Sequence, residues 1–163
     1  MPLTDLTNIL KHDPLVASNF YLEIDGANVA TLTEVSGLDI EVEVVEMKQT
    51  TAAGQYVIAK TLGQAKVPGD ITVKRIAPLD IDNDPIWKWF NAIRDKGMAI
   101  KDRVAQRKNG SIVIYDTANV EVARWNFYNS WPMKISSDSF SATSAEAVHE
   151  TITFAIEYLE RKK

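Results

Sequence analysis

Three carboxylates, Asp39, Glu41 and Glu43, stand at alternate positions in the stretch GLDIEVEVVEMKQ, residues 37–49. Leu38, Ile40, Val42 and Val44 take the intervening positions, so an extended chain would show one acidic and one apolar face. Same-face neighbours on a strand lie about 7 Å apart, which permits paired-carboxylate acid–base chemistry. That chemistry also needs an environment that drives two pKa values apart. No histidine and no glycine-lined approach stands near these residues in the sequence, and the acidic face reads as a wetted surface. The histidines, His12 and His149, do not have metal-ligand spacing. Cysteine is absent, which removes disulfides and thiolate chemistry. No G-x-S-x-G, P-loop or G-x-G-x-x-G segment occurs. Lys101, Arg103, Arg107 and Lys108 read as charge guarding a strand edge. No catalytic, cofactor-binding or metal site is expected.

The elements that must position these groups fit one domain, residues 1–163, with 45% hydrophobic and 25% charged residues, the balance of an ordinary packed chain. A formal net charge of -4 argues against a dedicated nucleic-acid binder, which needs concentrated Lys and Arg. The first thirty residues hold no basic segment followed by an apolar run, and no stretch of about 18 apolar residues occurs. Neither a signal peptide nor a membrane anchor is expected.

Residues 1–17 are weakly periodic and read as an arm, of which 1–12 is the outer part. SNFYLEID alternates as a half-buried strand with Phe20, Leu22 and Ile24 inward, and NVATLTEV follows as a second. Residues 48–66 hold small and polar side chains around the apolar island Tyr56-Val57-Ile58 and read as a long hairpin excursion. DITVKRI is a further strand. DPIWKWFNAIRDKG predicts a helix capped by Asp84, opened by Pro85 and stopped by Gly97, with Ile86, Trp89, Phe90 and Ile93 buried. Asn109-Gly110 predicts a hairpin turn between AIKDRVAQRK and SIVIYD. VEVARWNFYNSW has apolar groups on both parities, which implies two-sided burial or a bulge. In VHETITFAIEYLE, Val148, Ile152, Phe154, Ile156 and Tyr158 share one parity. The expectation is a mainly β (α+β) domain, a sandwich or barrel of eight or nine strands with one flanking helix.

Seven segments occur in a familiar order: DPLVASNFYLEIDG, EVSGLDIEVEVVE, GDITVKR, DPIWKWFN, NGSIVIYD, VARWNFYNSWPMKIS and ETITFAIEYLE. Over residues 13–160 the chain resembles the tail-tube proteins of contractile phages, most closely the inner-tube subunits of extracellular contractile injection systems. The type VI secretion tube protein is a related architecture. The resemblance implies a split β-barrel subunit in hexameric rings that stack into a hollow tube. Sheath contraction then drives the tube and its cargo through a target envelope. It also implies no enzymatic activity and no cofactor. The implied partners are identical copies, the sheath protein, baseplate and hub proteins, the tape-measure protein and lumenal cargo. Assembly in the bacterial cytoplasm, as part of a phage tail or a released tail-like particle, follows from the same likeness.

Six subunits giving four strands each would make a 24-stranded barrel about 48 Å across, for strands about 4.8 Å apart and tilted roughly 40°. Asp39, Glu41 and Glu43 are then expected to face the lumen, with the apolar parity of residues 38–44 on the subunit core. The excursion is expected to dock on an adjacent subunit or ring through Tyr56, Val57, Ile58, Lys60 and Lys66. Two other functions compete: a tube-initiating paralogue at the baseplate, and a soluble β-sandwich module that binds a ligand.

Overall fold

The computed structural model describes residues 19–96, 100–143 and 145–163; the expected arm and the Gly97 helix stop lie outside the described residues. Within the described residues ten strands and two helices follow one another: β1 (Asn19–Ile24), β2 (Ala27–Leu32), β3 (Glu34–Ser36), β4 (Val42–Thr50), β5 (Tyr56–Ala65), β6 (Ile71–Ile76), α1 (Pro85–Lys96), α2 (Ile100–Arg103), β7 (Lys108–Tyr115), β8 (Glu121–Ser137), β9 (His149–Ala155) and β10 (Tyr158–Arg161).

The architecture turns on β8, whose 17 residues serve two sheets. Its first half pairs with β7 on one side and β10 on the other, and β1 and β2 extend this sheet beyond β7. Its second half pairs with β9, which pairs with β6, which pairs with β3. The hydrogen-bonded path therefore runs β2-β1-β7-β8-β9-β6-β3 and stays open between its two ends. Those ends are consecutive in the chain, separated only by Thr33, whose amide and hydroxyl both donate to the Lys74 carbonyl at 2.8 and 3.1 Å. This is the expected split barrel. The mixed parity of residues 120–131 has its cause here: β8 switches sheets at Asn129, which has a φ of 52°, with register shifts on both flanks.

Between the sheets lies one core, formed by Leu22, Ile71, Val73, Ile112, Phe127, Ile152, Phe154 and Leu159 with Ile86 and Trp89 from α1. The second sheet shows its alternation as rows. Ile135, Ile152, Val73 and Val35 make one row across four strands and face the core. The adjacent rows, Lys134-Thr153-Thr72-Ser36 and Ser136-Thr151-Lys74-Glu34, are half-buried or exposed and form the opposite, wet face.

Helix α1 starts as its sequence requires, with the Trp87 amide donating to Asp84 Oδ2 at 2.9 Å. Ile86 and Trp89 are its fully buried residues, while Phe90 and Ile93 are half-buried. Asp84 also locks the helix to the sheet. Arg75 of β6 donates to both Asp84 oxygens at 2.7 and 2.8 Å, and to Glu150 of β9 at 3.2 and 3.4 Å. The Trp87 indole closes the cluster on Glu150 Oε1 at 3.1 Å.

Four expectations need correction. Asn109-Gly110 is not a turn but lies inside β7. A Cβ on Gly110 would stand 2.6 Å from Phe127 Cε2 and 2.9 Å from the Glu23 carbonyl, so the glycine serves a close approach. Asn109 Oδ1 meanwhile accepts from the Asn129 amide at 3.1 Å, on the corner of β8. Second, residues 100–103 are helical and are no strand of a hairpin, and Arg107 and Lys108 are used in packing: their cations sit 4.8 Å from the Trp131 ring and 5.4 Å from the Trp89 ring. Third, the parity of the last segment breaks at Ile156-Glu157, so Leu159 is buried and Tyr158 exposed. Fourth, the hairpin excursion is longer than residues 48–66: it opens at Val42 and closes at Ala65.

Candidate assembly interface

The β3–β6 pair is the root of this excursion. Ser36 stands opposite Thr72, and past a gap in the ladder Val42 stands opposite Ala65, so β4 and β5 continue the same antiparallel pair away from the sandwich. Gly37 sits in the gap at φ +86°, where any Cβ would collide with the Asp70 carbonyl, so the crossing strands approach as only glycine allows. The Lys66 amide donates to the Glu41 carbonyl at 3.1 Å within the gap. At the tip, the Thr51 amide donates to the Gln55 carbonyl at 2.8 Å and the Thr51 hydroxyl accepts from the Gln55 amide at 3.1 Å.

Every residue of β4 is exposed, and on β5 only Gly63 is not. The two strands pair only with each other among the described residues. Register assigns their faces. Val44, Glu46, Lys48 and Thr50 oppose Leu62, Lys60, Ile58 and Tyr56; Val45, Met47 and Gln49 oppose Thr61, Ala59 and Val57. The first face is mixed, with Glu46 and Lys60 in an ion pair at 3.4 Å, whereas the second has no charge. Ile40, Val42 and Val44 are more than half exposed, Leu62 86%. The apolar parity of residues 38–44 therefore does not rest on the subunit's own core, Leu38 excepted. The physical reason is the projection of the hairpin, which carries these side chains beyond the opposing sheet.

Asp39, Glu41 and Glu43 are all exposed, but they do not form a uniform strand face. Asp39 and Glu41 precede β4, and Glu43 sits at a register shift between Val42 and Val44. Lys66 bonds Glu41 at 2.6 Å, and this hydrogen bond and charge hold the ammonium above its ordinary pKa, with Glu43 adding to the effect. Of the five residues expected as contacts, Tyr56 and Ile58 share the mixed face with Lys60. Val57 is on the uncharged face, and Lys66 is at the root. The sequence had marked the apolar island but not Val42, Val44, Val45, Met47 and Leu62, whose alternation looked like an ordinary half-buried strand.

Other clusters hold the scaffold. Arg124 bridges Glu121 and Glu23 at 2.9 and 2.8 Å, and its pKa is raised by those hydrogen bonds. Arg107 and Asn129 both bond Glu157, keeping its carboxyl below the ordinary range. His149 lies at the start of β9 opposite Ile76, while His12 lies outside the described residues. Among the described residues no group of three or more His, Asp or Glu could hold a metal ion, and no helix is long and apolar enough to cross a membrane.

Several solved structures share this fold. The anti-feeding prophage cap (AFP tube terminating cap) matches at 24% identity over 93% of each chain, with a TM-score of 0.72. A chain of the PVC sheath–tube complex, an extracellular contractile injection system in its extended state, matches at 22% identity over 96% of each chain, with a TM-score of 0.70. A chain of the anti-feeding prophage baseplate matches at 12% identity over 93% of this chain and 97% of that one, TM-score 0.69. No curated protein matches in sequence. Residues 16–160 match the T4-like virus tail tube protein gp19 family. With nearly the whole sandwich and its projecting hairpin inside that match, the chain belongs to this tail tube family and is a structural subunit of a tube.

Proposed function

We propose that the chain is the repeating inner-tube subunit of a contractile injection device, forming hexameric rings that stack into a hollow tube within a contractile sheath. The observation that carries this reading is the β4–β5 hairpin. A two-stranded ribbon is at best marginally stable alone in water, and this one shows Val42, Val44, Val45, Met47, Tyr56, Val57, Ile58 and Leu62 to solvent. Apolar surface of that extent on a projecting element calls for cover by another subunit, and tube assembly supplies identical copies at a fixed offset.

The protein works by self-assembly and not by catalysis. Its partners are its own copies, the sheath protein, baseplate and hub proteins, a tape-measure protein and cargo in the lumen; likeness of fold to chains from sheath–tube, cap and baseplate assemblies supports the copies, the sheath and the baseplate among them. Assembly takes place in the bacterial cytoplasm, and the tube leaves as part of the particle. Asp39, Glu41 and Glu43 line the bore, where six copies would repel acidic cargo; their exposure supports this, with Lys66 offsetting part of the charge. Tyr56, Val57, Ile58 and Lys60 contact a neighbouring subunit or ring. A second reading, a specialised paralogue that starts the tube at the baseplate, draws on the likeness to the baseplate chain.

Electron microscopy of the purified protein, alone and with its sheath and baseplate partners, separates the readings. A repeating subunit gives rings and tubes of indefinite length, and an initiator stops at one ring. Particles that stay monomeric under every condition would refute both.

A further inference from the structure

The β4–β5 hairpin is tied to the sandwich at one level and to itself at another, and among the described residues no backbone bond holds it between the two. At the lower level Ser36 pairs with Thr72, Gly37 lies against the Asp70 carbonyl and Leu38 rests on the core. At the upper level the Lys66 amide donates to the Glu41 carbonyl, the two side chains bond each other at 2.6 Å, and the ladder resumes at Val42 and Ala65. The links between the levels are Asp39-Ile40 on one strand and Val67-Pro68-Gly69 on the other. Among the described residues none of these five takes part in a backbone hydrogen bond.

The links are also loosely packed. A Cβ on Gly69 would meet nothing within 4 Å. A hollow of about 230 Å³ lies between the two links, bounded by Asp39, Glu41, Lys66, Val67, Pro68 and Gly69. A separate cleft of about 260 Å³ runs between the root of the hairpin and the corner that opens β10, where Glu157, Tyr158 and Leu159 form the opposite wall. Short unbonded links beside open space make a hinge, in which a few residues absorb the dihedral change while the element beyond them moves as a body. The ladder beyond Glu41 and Lys66 keeps that body in one piece.

The cleft gives the motion a direction. Its hairpin wall carries Ile40, Val42 and Val67 and its sandwich wall Tyr158, each more than half exposed. Tyr158 is already seated on the Tyr128 ring, 5.9 Å away, which fixes the receiving surface. Bending at the links brings the two apolar walls together and removes both from water. Charge does not drive the closure: Lys66 shares its wall with Asp39 and Glu41, and Glu157 opposite is already bonded to Arg107 and Asn129.

We propose that the hairpin is a hinged lever with two positions, the projecting one described above and a closed one in which it bends at Asp39-Ile40 and Val67-Pro68-Gly69 and lays Ile40, Val42 and Val67 on Tyr158. This rests on the tube reading and goes beyond it. The free subunit keeps its assembly element folded back, and a tube end or a baseplate template selects the projecting position. The apparent affinity of a subunit for a tube end then falls with the fraction that projects, which restrains free copies from joining before a tube has been started.

The absence of native cysteine allows both positions to be trapped and measured. A chain carrying Val42→Cys with Tyr158→Cys is oxidised as a dilute free subunit, and non-reducing gels with mass determination record the bridge. The bridge should form within one chain and should abolish tubes in electron micrographs until reductant is added. Spin labels on Gln49→Cys with Ala118→Cys, outside the cleft, report the swing without a trap. Double electron–electron resonance should give two distance populations in the free subunit and one in tubes diluted with unlabelled protein. A single population in the free subunit, absence of the bridge, or oxidised subunits that form tubes as readily as reduced ones would overturn the lever and leave the tube reading standing. Two populations in a subunit whose cysteine-free parent never forms rings would keep the hinge and overturn the tube reading.

Discussion

Replacing Arg75 by methionine tests whether the helix is held to the sheet by charge. The guanidinium side chain is 5% exposed and the Asp84 and Glu150 side chains 7% and 6%, so all three groups are out of water. Arg75→Met keeps an unbranched apolar stem and removes four hydrogen bonds, leaving two carboxylates buried side by side. Removing one partner of a buried pair costs about 3–5 kcal/mol. For a chain of this size each kcal/mol lowers Tm by about 2–4 °C, so thermal unfolding followed by circular dichroism at pH 7 should fall by roughly 6–20 °C. Burial raises the Asp84 pKa, but the Arg75 fork and the amides of Trp87 and Ile86 outweigh it, and the net shift is downward. A depressed carboxylate contributes stability above its unfolded pKa, near 3.9, and that contribution is lost as pH falls through the folded value. Without Arg75 the sign reverses: the orphaned carboxylates take up protons more readily in the fold than in the unfolded chain. The gap between variant and parent should therefore narrow from pH 7 to pH 4. A drop below about 3 °C at pH 7, or a gap that does not change with pH, would sink the argument.

Three further outcomes follow from the geometry. Gly110→Ala puts a methyl group against the Phe127 ring and the Glu23 carbonyl and should cost about 1–3 kcal/mol, read as a lowered urea midpoint with an unchanged slope. Replacing Val44–Leu62 by Asn-Gly keeps the Val42–Ala65 pairing and should leave Tm within about 3 °C, because the removed residues are exposed, while abolishing tubes in electron micrographs. Joining residue 49 to residue 65 instead would splice positions that do not face each other. Charge reversal of Asp39, Glu41 and Glu43 to lysine should preserve monomer stability within about 1 kcal/mol, since these groups are exposed. It should alter cargo retention in isolated tubes, and unchanged loading would remove these residues from the bore.

How much of this was legible in the sequence depends on where each segment's physics resides. Strands β1, β6 and β9 were readable because both their faces meet fixed environments, core and water, within one chain: Leu22, Val73 and Ile152 alternate against Tyr21, Thr72 and Thr151. Helix α1 was readable because its cap is local, Asp84 to Trp87. The misread positions are those whose partners are distant in sequence. Gly110 looked like a turn, but its reason is Phe127 and Glu23, which no local window contains. Arg75 and Glu150, 75 residues apart, meet only once the sheet is paired, and nothing in their neighbours announces it.

The acidic stretch carries the same lesson one level higher. Alternation from Leu38 to Val44 promised a half-buried strand, and the promise depended on an unstated assumption that the burying surface belongs to the same molecule. Among the described residues that surface is absent: Ile40, Val42 and Val44 are exposed on a hairpin that leaves the sandwich at Gly37. A strand pattern with no intramolecular core to satisfy it does not mean that the pattern was noise. It measures the surface that the isolated subunit lacks, and under the tube reading proposed above that surface belongs to another copy of the chain.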